Sequence, residues 1–373
     1  MTQIAALGEF GLIRHLTEGL TPLQPSTLLG VGDDCAVLRY SDESDLLLTT
    51  DMLMEGVHFD LTYMPLRHLG YKAVQVNLSD IYAMGGTPRQ IVVSLALSKR
   101  FSVEDVDELY AGIQLACREH DADLVGGDTT TSLTGLALSI AALGSVPHGQ
   151  AILRSGAQAT DLICVSGDLG AAYMGLQLLE REKRVYYQQL AEAQALEGTA
   201  RQEALRQLEI AQPDFAGREY ILERQMRPQA RKVILQALRQ AGIRPTAMMD
   251  ISDGLSSELM HICRQSHVGC RIYEERLPID YQTAVMAEEL NLNVTTCALN
   301  GGEDYELLFT IPLADHEKAT AIEGIHLIGH ITDPSLGQAL ITRDGQEFEL
   351  KAQGWNPLAT QENRAPTAAA EKP

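Results

Sequence analysis

Basic residues are scarce in this sequence. There are 29 lysines and arginines against 50 aspartates and glutamates, so the formal net charge is −21. Duplex DNA, RNA and anionic membrane surfaces are bound through basic footprints, and this balance argues against all three as partners. Small phosphate ligands are not excluded, because bound cations can reverse the sign of the charge at a local site.

Cysteine pairs and long apolar runs are also missing. The six cysteines never stand as C-x-x-C, which argues against a zinc site, and a chain of 373 residues does not call for a disulfide framework. No apolar run approaches the roughly 20 residues that span a bilayer. The first residues, MTQIAALGEFGLIRHL, carry Glu9 and no basic residue before the apolar part, unlike a signal peptide. We therefore expect a soluble, cytoplasmic protein.

The chain is long enough for two domains of ordinary size. Helical and strand-like apolar patterns alternate along both halves, which predicts an α/β (α+β mixed) fold. The Gly-rich, polar segment Pro147–Asp161 divides the chain into an N-terminal metal- and nucleotide-binding domain (1–148) and a C-terminal domain (149–358). A helical insertion is predicted at about 183–213, which is rich in Glu, Gln, Arg, Ala and Leu. The tail 359–373 lacks large apolar residues and is expected to be disordered.

Aspartates recur at one kind of position. Four Gly-rich or apolar segments run directly into aspartate: GVGDD (30–34), LLLTTD (46–51), LVGGD (124–128) and MMDISD (248–253). A single aspartate after a strand is ordinary, because aspartate starts turns and caps helices. Four of them, beside hydroxyls and glycines, favour a ligand site, since α/β folds place ligands at the ends of strands.

A further aspartate, Asp80, stands where a helix should be apolar. Leu69, Ala73, Val76, Asp80 and Ala83 follow a helical spacing on a single face. A buried carboxylate needs several hydrogen-bond donors or a cation, so Asp80 either accepts from backbone amides or binds a metal ion. With so many other acids present, we favour the metal. Carboxylates, threonine hydroxyls and carbonyls select Mg²⁺, Mn²⁺ or Ca²⁺.

Two glycine-rich turns could hold phosphate oxygens close to backbone N–H groups. They are GGDTT (126–130) and SDGL (252–255), and the second opens a predicted helix. Neither is a Walker A loop, and the kinase motifs V-A-I-K and H-R-D are absent as well. Phosphoryl transfer would therefore need another kind of nucleotide site, in which aspartate-held Mg²⁺ ions receive the polyphosphate.

These motifs together resemble those of the thiamine-monophosphate kinase family, within the aminoimidazole-ribonucleotide-synthetase-like superfamily. The resemblance runs from about Gly8 to Trp355. It rests on seven segments in the family's order: GVGDDCAVL (30–38), TTDMLMEGVHF (49–59), YKAVQVNLSDIYAMGGTP (71–88), LVGGDTT (124–130), ILRSGA (152–157), DISDGL (250–255) and NGGEDYELLFT (300–310). It implies the two-domain fold of that superfamily, a homodimer built around a sheet shared by the N-terminal domains, and ATP- and Mg²⁺-dependent phosphorylation of thiamine monophosphate to thiamine diphosphate by direct in-line transfer.

The resemblance also implies roles for individual residues. The Mg²⁺ ligands would be Asp34, Thr49, Thr50, Asp51, Asp80, Asp128, Asp250 and Asp253, with Asp51, Asp128 and Asp250 catalytic through the metal. ATP would be bound by Gly127, Asp128, Arg154 and Ser252, and thiamine monophosphate by His58, Glu303 and Trp355. Without the resemblance, Arg154 would be interpreted as a surface residue, His58 as structural and Trp355 as a side chain at the edge of the core.

The sequence departs from the family's pattern in two places. The segment around 183–213 is longer than usual, and Thr49 stands where serine is frequent, a change that keeps the hydroxyl. Two alternatives stay open. One is another member of the superfamily, such as an aminoimidazole ribonucleotide synthetase, which would not be expected to carry GGEDYEL (301–307). The other is a non-catalytic nucleotide- or Mg²⁺-binding protein.

Overall fold

The computed structural model describes residues 4–20, 22–210 and 213–352. Its strands form two sheets, one in each half of the chain, which confirms the mixed α/β class. The predicted disordered tail lies outside the described residues, as does the end of the predicted C-terminal domain. None of the helices in the described ranges combines the length and the apolar character that a membrane crossing requires.

The N-terminal half contains a six-stranded sheet with two long helices on one face. The elements are α1 (Ile4–Thr17), β1 (Thr27–Leu29), β2 (Ala36–Arg39), β3 (Ser44–Met54), α2 (Leu66–Ala83), β4 (Thr87–Leu97), α3 (Val103–His120), β5 (Asp123–Thr131) and β6 (Ala137–Pro147). The strand order is β1-β2-β3-β6-β4-β5. Neighbouring strands are antiparallel except β4 and β5, which run parallel.

The C-terminal half contains a seven-stranded sheet and eight helices within the described residues. The strands are β7 (Leu162–Ser166), β8 (Ala247–Asp250), β9 (Gly269–Tyr273), β10 (Leu307–Ile311), β11 (Ile325–Thr332), β12 (Gln338–Ile341) and β13 (Glu347–Glu349). The helices are α4 (Ala171–Ala195), α5 (Gly198–Ile210), α6 (Glu219–Met226), α7 (Lys232–Gln240), α8 (Leu255–Ser266), α9 (Tyr281–Glu289), α10 (Val294–Asn300) and α11 (His316–Thr320). The strand order is β13-β12-β9-β11-β7-β10-β8.

One apolar core extends across both halves of the chain. Leu78 and Ile81 of α2 belong to the same buried cluster as Leu307 and Phe309 of β10. The residue between them on β10, Leu308, belongs to a second cluster that includes helix α8. Alternate strand residues point to opposite faces of a sheet, so the second sheet is covered on one face by α8 and on the other by the N-terminal half.

Helix α2 is buried on nearly all sides. The sequence spacing predicts a single buried face, but 14 of its 18 residues are buried, and these include polar ones. Burial extends beyond that face because α2 packs against α3 and the first sheet and also contacts β8 and α6 of the other half. Glycines allow the close crossing of α2 and α3, since a Cβ at Gly70 would lie 2.0 Å from the carbonyl oxygen of Leu109. Helix α2 thus reaches the junction between the two halves.

The four aspartate segments were expected at the ends of strands, but the structure places their aspartates differently. Asp250 is the last residue of β8, but Asp51 lies inside β3 and Asp128 inside β5, and Asp34 lies in the loop between β1 and β2. The two strands continue past their aspartates because both pair with a neighbour over their full length. The described part of the segment 183–213 forms the end of α4 and helix α5.

Candidate active site: an acidic cluster between the two sheets

Three carboxylates from distant parts of the chain meet at the junction of the two halves. Oxygen atoms of Asp34, Asp80 and Asp250 all lie within 4.8 Å of one another. They come from the β1–β2 loop, from α2 and from the end of β8. Asp34 and Asp250 are only 8% and 4% exposed. This acidic cluster is therefore formed by the packing of α2 against the second sheet.

Strand β3 adds two side chains to the acidic cluster. Residues 49 and 51 alternate with residue 50, so Thr49 and Asp51 share the sheet face that carries α2. The Thr49 hydroxyl donates a hydrogen bond of 2.5 Å to Oδ2 of Asp80, and the backbone N–H of Asp51 donates to Oδ1 of Asn77 at 3.0 Å. Both contacts join β3 to α2 next to the three carboxylates.

Burial and mutual repulsion perturb the aspartates strongly. Burial raises the pKa of Asp33 and of Asp250 to about 7, and the Asp34 charge adds to the effect at Asp250. Burial followed by repulsion from Asp34 raises the pKa of Asp51 to about 6. The pKa of Asp80 is held well above its ordinary value by burial and by the charges of Asp51 and Asp250. A cation that binds among these carboxylates relieves their mutual repulsion and stabilises the site.

One arginine partly compensates this charge. The guanidinium Nη2 of Arg154 donates to Oδ1 of Asp34 at 2.6 Å, and its backbone N–H donates to Oδ1 of Asp33 at 2.8 Å. Arg154 is therefore part of the site, and the surface interpretation that its local sequence favours is wrong. The Ser79 hydroxyl donates to Oδ2 of Asp250 and further orients the carboxylates.

The donor set fits a hard divalent cation. Buried oxygens Oδ2 of Asp34 and Oδ2 of Asp51 have no hydrogen-bond partner in the described part of the chain. A buried carboxylate oxygen without a donor is costly, and a bound cation would remove that cost. The groups at the site are carboxylates and a hydroxyl, the ligands that Mg²⁺ prefers.

Two of the predicted metal ligands, Thr50 and Asp128, do not reach the acidic cluster. Thr50 points to the opposite face of the first sheet and donates to the carbonyl oxygen of Ile140 at 3.0 Å. Asp128 lies on that same opposite face. It pairs in register with Ser94, and the adjacent Val93 points to the buried face, so Ser94 and Asp128 both point away from it. Strands β6 and β4 also separate β5 from β3, a span of about 14 Å at the usual strand spacing. Gly127, the predicted ATP contact beside Asp128, shares this edge strand.

The 250–255 turn lies at the edge of the acidic cluster. The backbone N–H of Asp253 donates to Oε1 of Glu258, a buried residue whose part the sequence did not reveal. Gly254 adopts φ +123°, and a Cβ there would lie 2.9 Å from Asn300, so a side chain is excluded at this point. The carbonyl of Ser252 accepts the backbone N–H of Glu303 at 2.7 Å. The predicted nucleotide contact Ser252 and the predicted acceptor contact Glu303 are therefore neighbours.

The predicted acceptor contacts occupy different places. Glu303 is held by Nζ of Lys72 at 2.8 Å and by Nε2 of Gln225 at 2.9 Å. His58 lies in the loop between β3 and α2, where its Nδ1 accepts the backbone N–H of Met54 at 2.9 Å. Trp355 lies outside the described residues. Sequence reasoning missed Lys72, and the signal that could have found it is a lysine within a helix whose neighbours are mostly apolar.

Comparison with known proteins gives a matching family model and relatives of similar length. Residues 32–146 match the family described as "AIR synthase related protein, N-terminal domain". Thiamine-monophosphate kinase of Bacillus subtilis is 31% identical, with 94% of this chain and 99% of the relative covered. The enzyme of Escherichia coli (strain K12) is 33% identical, with 95% and 99% covered.

Solved structures give the same result. A structure described as "AaThiL complexed with AMPPCP and TMP" superposes with a TM-score of 0.76 at 32% identity, covering 96% of this chain and 99% of that one. Thiamine-monophosphate kinase from Stenotrophomonas maltophilia K279a superposes with a TM-score of 0.67 at 32% identity, covering 91% and 95%. Given the extent and identity of these matches, the chain belongs to the thiamine-monophosphate kinase family.

Proposed function

We propose that this protein is a kinase that transfers the γ-phosphoryl group of ATP to thiamine monophosphate and forms thiamine diphosphate. Relatives that are 31% to 33% identical over nearly the whole chain are named thiamine-monophosphate kinases. A related structure at 32% identity holds AMPPCP, an ATP analogue, together with TMP. The proposal therefore rests on close relatives along the entire fold.

The observation that carries the proposal is the acidic cluster, in which Arg154 contacts Asp34. The acceptor's phosphate oxygen is already anionic near neutral pH, so the reaction needs no general base. Its difficulty is the approach of two polyanions, and an acidic site that binds cations solves this by neutralisation and positioning. Carboxylates that bind cations are therefore suited to two substrates that are themselves negatively charged.

We propose Mg²⁺ as the cation, held by Asp34, Asp51, Asp80 and Asp250 with the Thr49 hydroxyl nearby. When bound, Mg²⁺ would neutralise phosphate charge and favour in-line transfer. The chain's own groups prepare this site: Thr49 orients Asp80, Ser79 orients Asp250, and Arg154 holds Asp34. Asp253 lies in the adjacent turn and is proposed as a further ligand.

The substrate contacts are proposed from the family resemblance. Arg154 and Ser252, which lie at the acidic cluster and at the adjacent turn, would contact ATP. The resemblance adds Gly127 and Asp128, but in this chain they lie on the edge strand β5, away from the acidic cluster. His58, Glu303 and Trp355 would contact thiamine monophosphate. The hydrogen bond from Glu303 to Ser252 supports a shared site, because it places an acceptor contact beside a nucleotide contact.

We further propose that the protein is a homodimer whose subunits meet at the open face of the first sheet. That face carries partly exposed apolar side chains, including Leu48, Met52 and Val92, which are 38%, 57% and 39% exposed. Exposed apolar side chains grouped on one face of a sheet favour a protein interface. A second copy would cover it and bring Thr50 and Asp128, which lie on the same face, into the interface. Light scattering of the protein and of a Met52→Glu variant tests this, since a monomeric mass for the wild-type protein would contradict it.

The predicted domain division also stays a proposal. Strand β6 ends at Pro147 in the first sheet and β7 begins at Leu162 in the second, which supports boundaries of 1–148 and 149–358. The cytoplasmic location expected from the sequence stays a prediction.

ATP consumption with and without thiamine monophosphate, combined with identification of the product, tests the function. The proposal requires acceptor-dependent ADP release and one thiamine diphosphate per ADP. A nucleotide-binding protein without activity would bind ATP and release no ADP, and an aminoimidazole ribonucleotide synthetase would ignore thiamine monophosphate.

A thermal scan tests the cation separately. Nucleotide and Mg²⁺ together should raise the melting temperature, and EDTA should cancel the increase, because only the folded site binds the complex. Equal stabilisation by nucleotide in EDTA would contradict a metal role for the aspartates.

A further inference from the structure

A lysine is completely buried beside the proposed acceptor site. Lys72 lies in the second turn of α2 and is 0% exposed. A buried ammonium group is costly unless it is paired and hydrogen-bonded. Helix packing does not explain a lysine at position 72, because an apolar side chain would fill the same space at a lower free-energy cost. The ammonium group must therefore serve its partners.

Lys72 is one of two groups that hold the carboxylate of Glu303. Its Nζ lies 2.8 Å from Oε1 of Glu303 and also donates to the backbone carbonyl of Gln225 at 3.2 Å. The Gln225 side chain donates from Nε2 to Oε2 of Glu303 at 2.9 Å. Each carboxylate oxygen thus has its own donor, one from α2 in the N-terminal half and one from α6 in the C-terminal half.

The backbone at Glu303 is fixed as well. Its φ is +66°, in the left-handed region that non-glycine residues rarely adopt, and its N–H donates to the Ser252 carbonyl. The preceding Gly302 allows this contact because it has no Cβ. A Cβ there would lie 2.4 Å from the same carbonyl oxygen, which is too close. A strained residue held by several partners is characteristic of ligand-binding positions.

We propose that Lys72 is a positioning residue that fixes the Glu303 carboxylate for recognition of thiamine monophosphate, an inference that rests on the proposed function. The two side chains differ in access: that of Glu303 is 26% exposed and that of Lys72 is 1% exposed. A ligand can therefore reach the carboxylate but not the ammonium group. A fixed carboxylate is suited to the N–H groups of the aminopyrimidine or to the cationic thiazolium of the acceptor. ATP, whose phosphates are anionic, gains nothing from it.

Lys72→Met tests the proposal, because it keeps the length of the side chain and removes the charge. We expect KM for thiamine monophosphate to rise about 5- to 50-fold, the loss of one charge-assisted hydrogen bond, with KM for ATP changed less than about 2-fold. Lys232→Met is the matched control. Its Nζ also joins the two halves, through Asp121 and the carbonyl of Glu119, but neither partner is a predicted site residue, so Lys232→Met should leave both KM values unchanged.

A double-mutant cycle separates positioning from general stability. If Lys72 acts through Glu303, Lys72→Met should add little to the KM of Glu303→Gln, whereas independent effects would multiply and overturn the proposal. An unchanged acceptor KM in Lys72→Met, with a raised one in Glu303→Gln, would also overturn it. An unchanged acceptor KM in Glu303→Gln itself would instead refute the role of Glu303 under the proposed function.

A second variant serves if Lys72→Met does not fold. Gln225→Met removes the other donor to the same carboxylate without altering the charge. It should raise KM for thiamine monophosphate about 3- to 10-fold and leave KM for ATP within about 2-fold. An unchanged acceptor KM in a folded Gln225→Met protein would overturn the proposal.

Discussion

The hydroxyl of Ser79 donates a hydrogen bond to Oδ2 of Asp250 and so joins the two halves of the chain inside the acidic cluster. Ser79 lies in α2 and is 0% exposed, and Asp250 is the last residue of β8. The contact orients a proposed metal ligand from one half by a side chain of the other. Precise placement of the two halves would therefore be a condition for binding the proposed cation.

Loss of this contact should weaken metal binding more than it weakens the fold. In Ser79→Ala we expect the Mg²⁺ concentration for half-maximal activity to rise about 10-fold, because groups that orient metal ligands typically contribute that much. Ser41→Ala, in an exposed turn where the hydroxyl contacts Ser44, is the control and should behave as wild type. A Mg²⁺ titration checks both variants. A proportional loss of activity at every Mg²⁺ concentration would argue against a role through Asp250.

Asp51→Asn should abolish turnover and leave the metal-free fold at least as stable. The substitution keeps the shape of the side chain and removes one charge from the cluster, where burial and Asp34 already raise the pKa of Asp51 to about 6. We expect kcat to fall more than about 10-fold, corresponding to at least about 1.4 kcal/mol of lost transition-state stabilisation. The exposed, equally charged Asp42 provides the control, as Asp42→Asn. A folded Asp51→Asn protein with more than a tenth of wild-type kcat would refute the assignment.

His120 makes stability depend on pH away from the active site. Its Nδ1 contacts the Tyr82 hydroxyl and its Nε2 contacts Oε1 of Gln75, which also accepts the N–H of Ala230. Burial, followed by the nearby Lys232 charge, lowers the pKa of His120 from 6.5 to about 4. Between these values the unfolded chain binds a proton and the folded chain does not, so stability is lost as the pH falls through that range.

The size of this effect can be measured against His120→Asn. The free energy of unfolding of wild type relative to the variant should fall by about 2 kcal/mol between about pH 7.5 and about pH 5, because only the wild-type protein has the buried histidine at this position. Urea unfolding of both proteins in EDTA checks this, and the aspartates cancel in the difference. A difference that does not vary with pH would mean that His120 titrates normally.

Trp355→Ala is a prediction from the sequence alone. Trp355 is the single tryptophan of the chain, and an indole stacks well on a flat cationic ring. We expect KM for thiamine monophosphate to rise about 2- to 30-fold and KM for ATP to change little. Thiamine monophosphate should also alter the intrinsic fluorescence without ATP. An unchanged acceptor KM together with a silent titration would assign Trp355 a structural role.

The sequence alone led to the predictions of the fold class and of the chemistry of the site. The alternation of helical and strand patterns predicted the mixed fold, and the recurrence of aspartates predicted a site for a hard cation and a polyphosphate. Helix α2 was predicted within a few residues of its actual bounds, because the helical spacing of the residues from Leu69 to Ala83 is a strong local signal. These properties depend on residue types and short spacings, which a sequence contains in full.

The tertiary structure decided which of those residues meet. Asp34, Asp80 and Asp250 are far apart in the chain, and only the packing of α2 between the two sheets brings their oxygens within 4.8 Å. Strand parity separated Thr50 and Asp128 from their neighbours in sequence, because adjacent residues of a strand point to opposite faces. The contacts of Lys72 with Glu303 and Gln225 join residues 153 or more positions apart along the chain for the same reason: they depend on long-range packing, for which local sequence contains no signal.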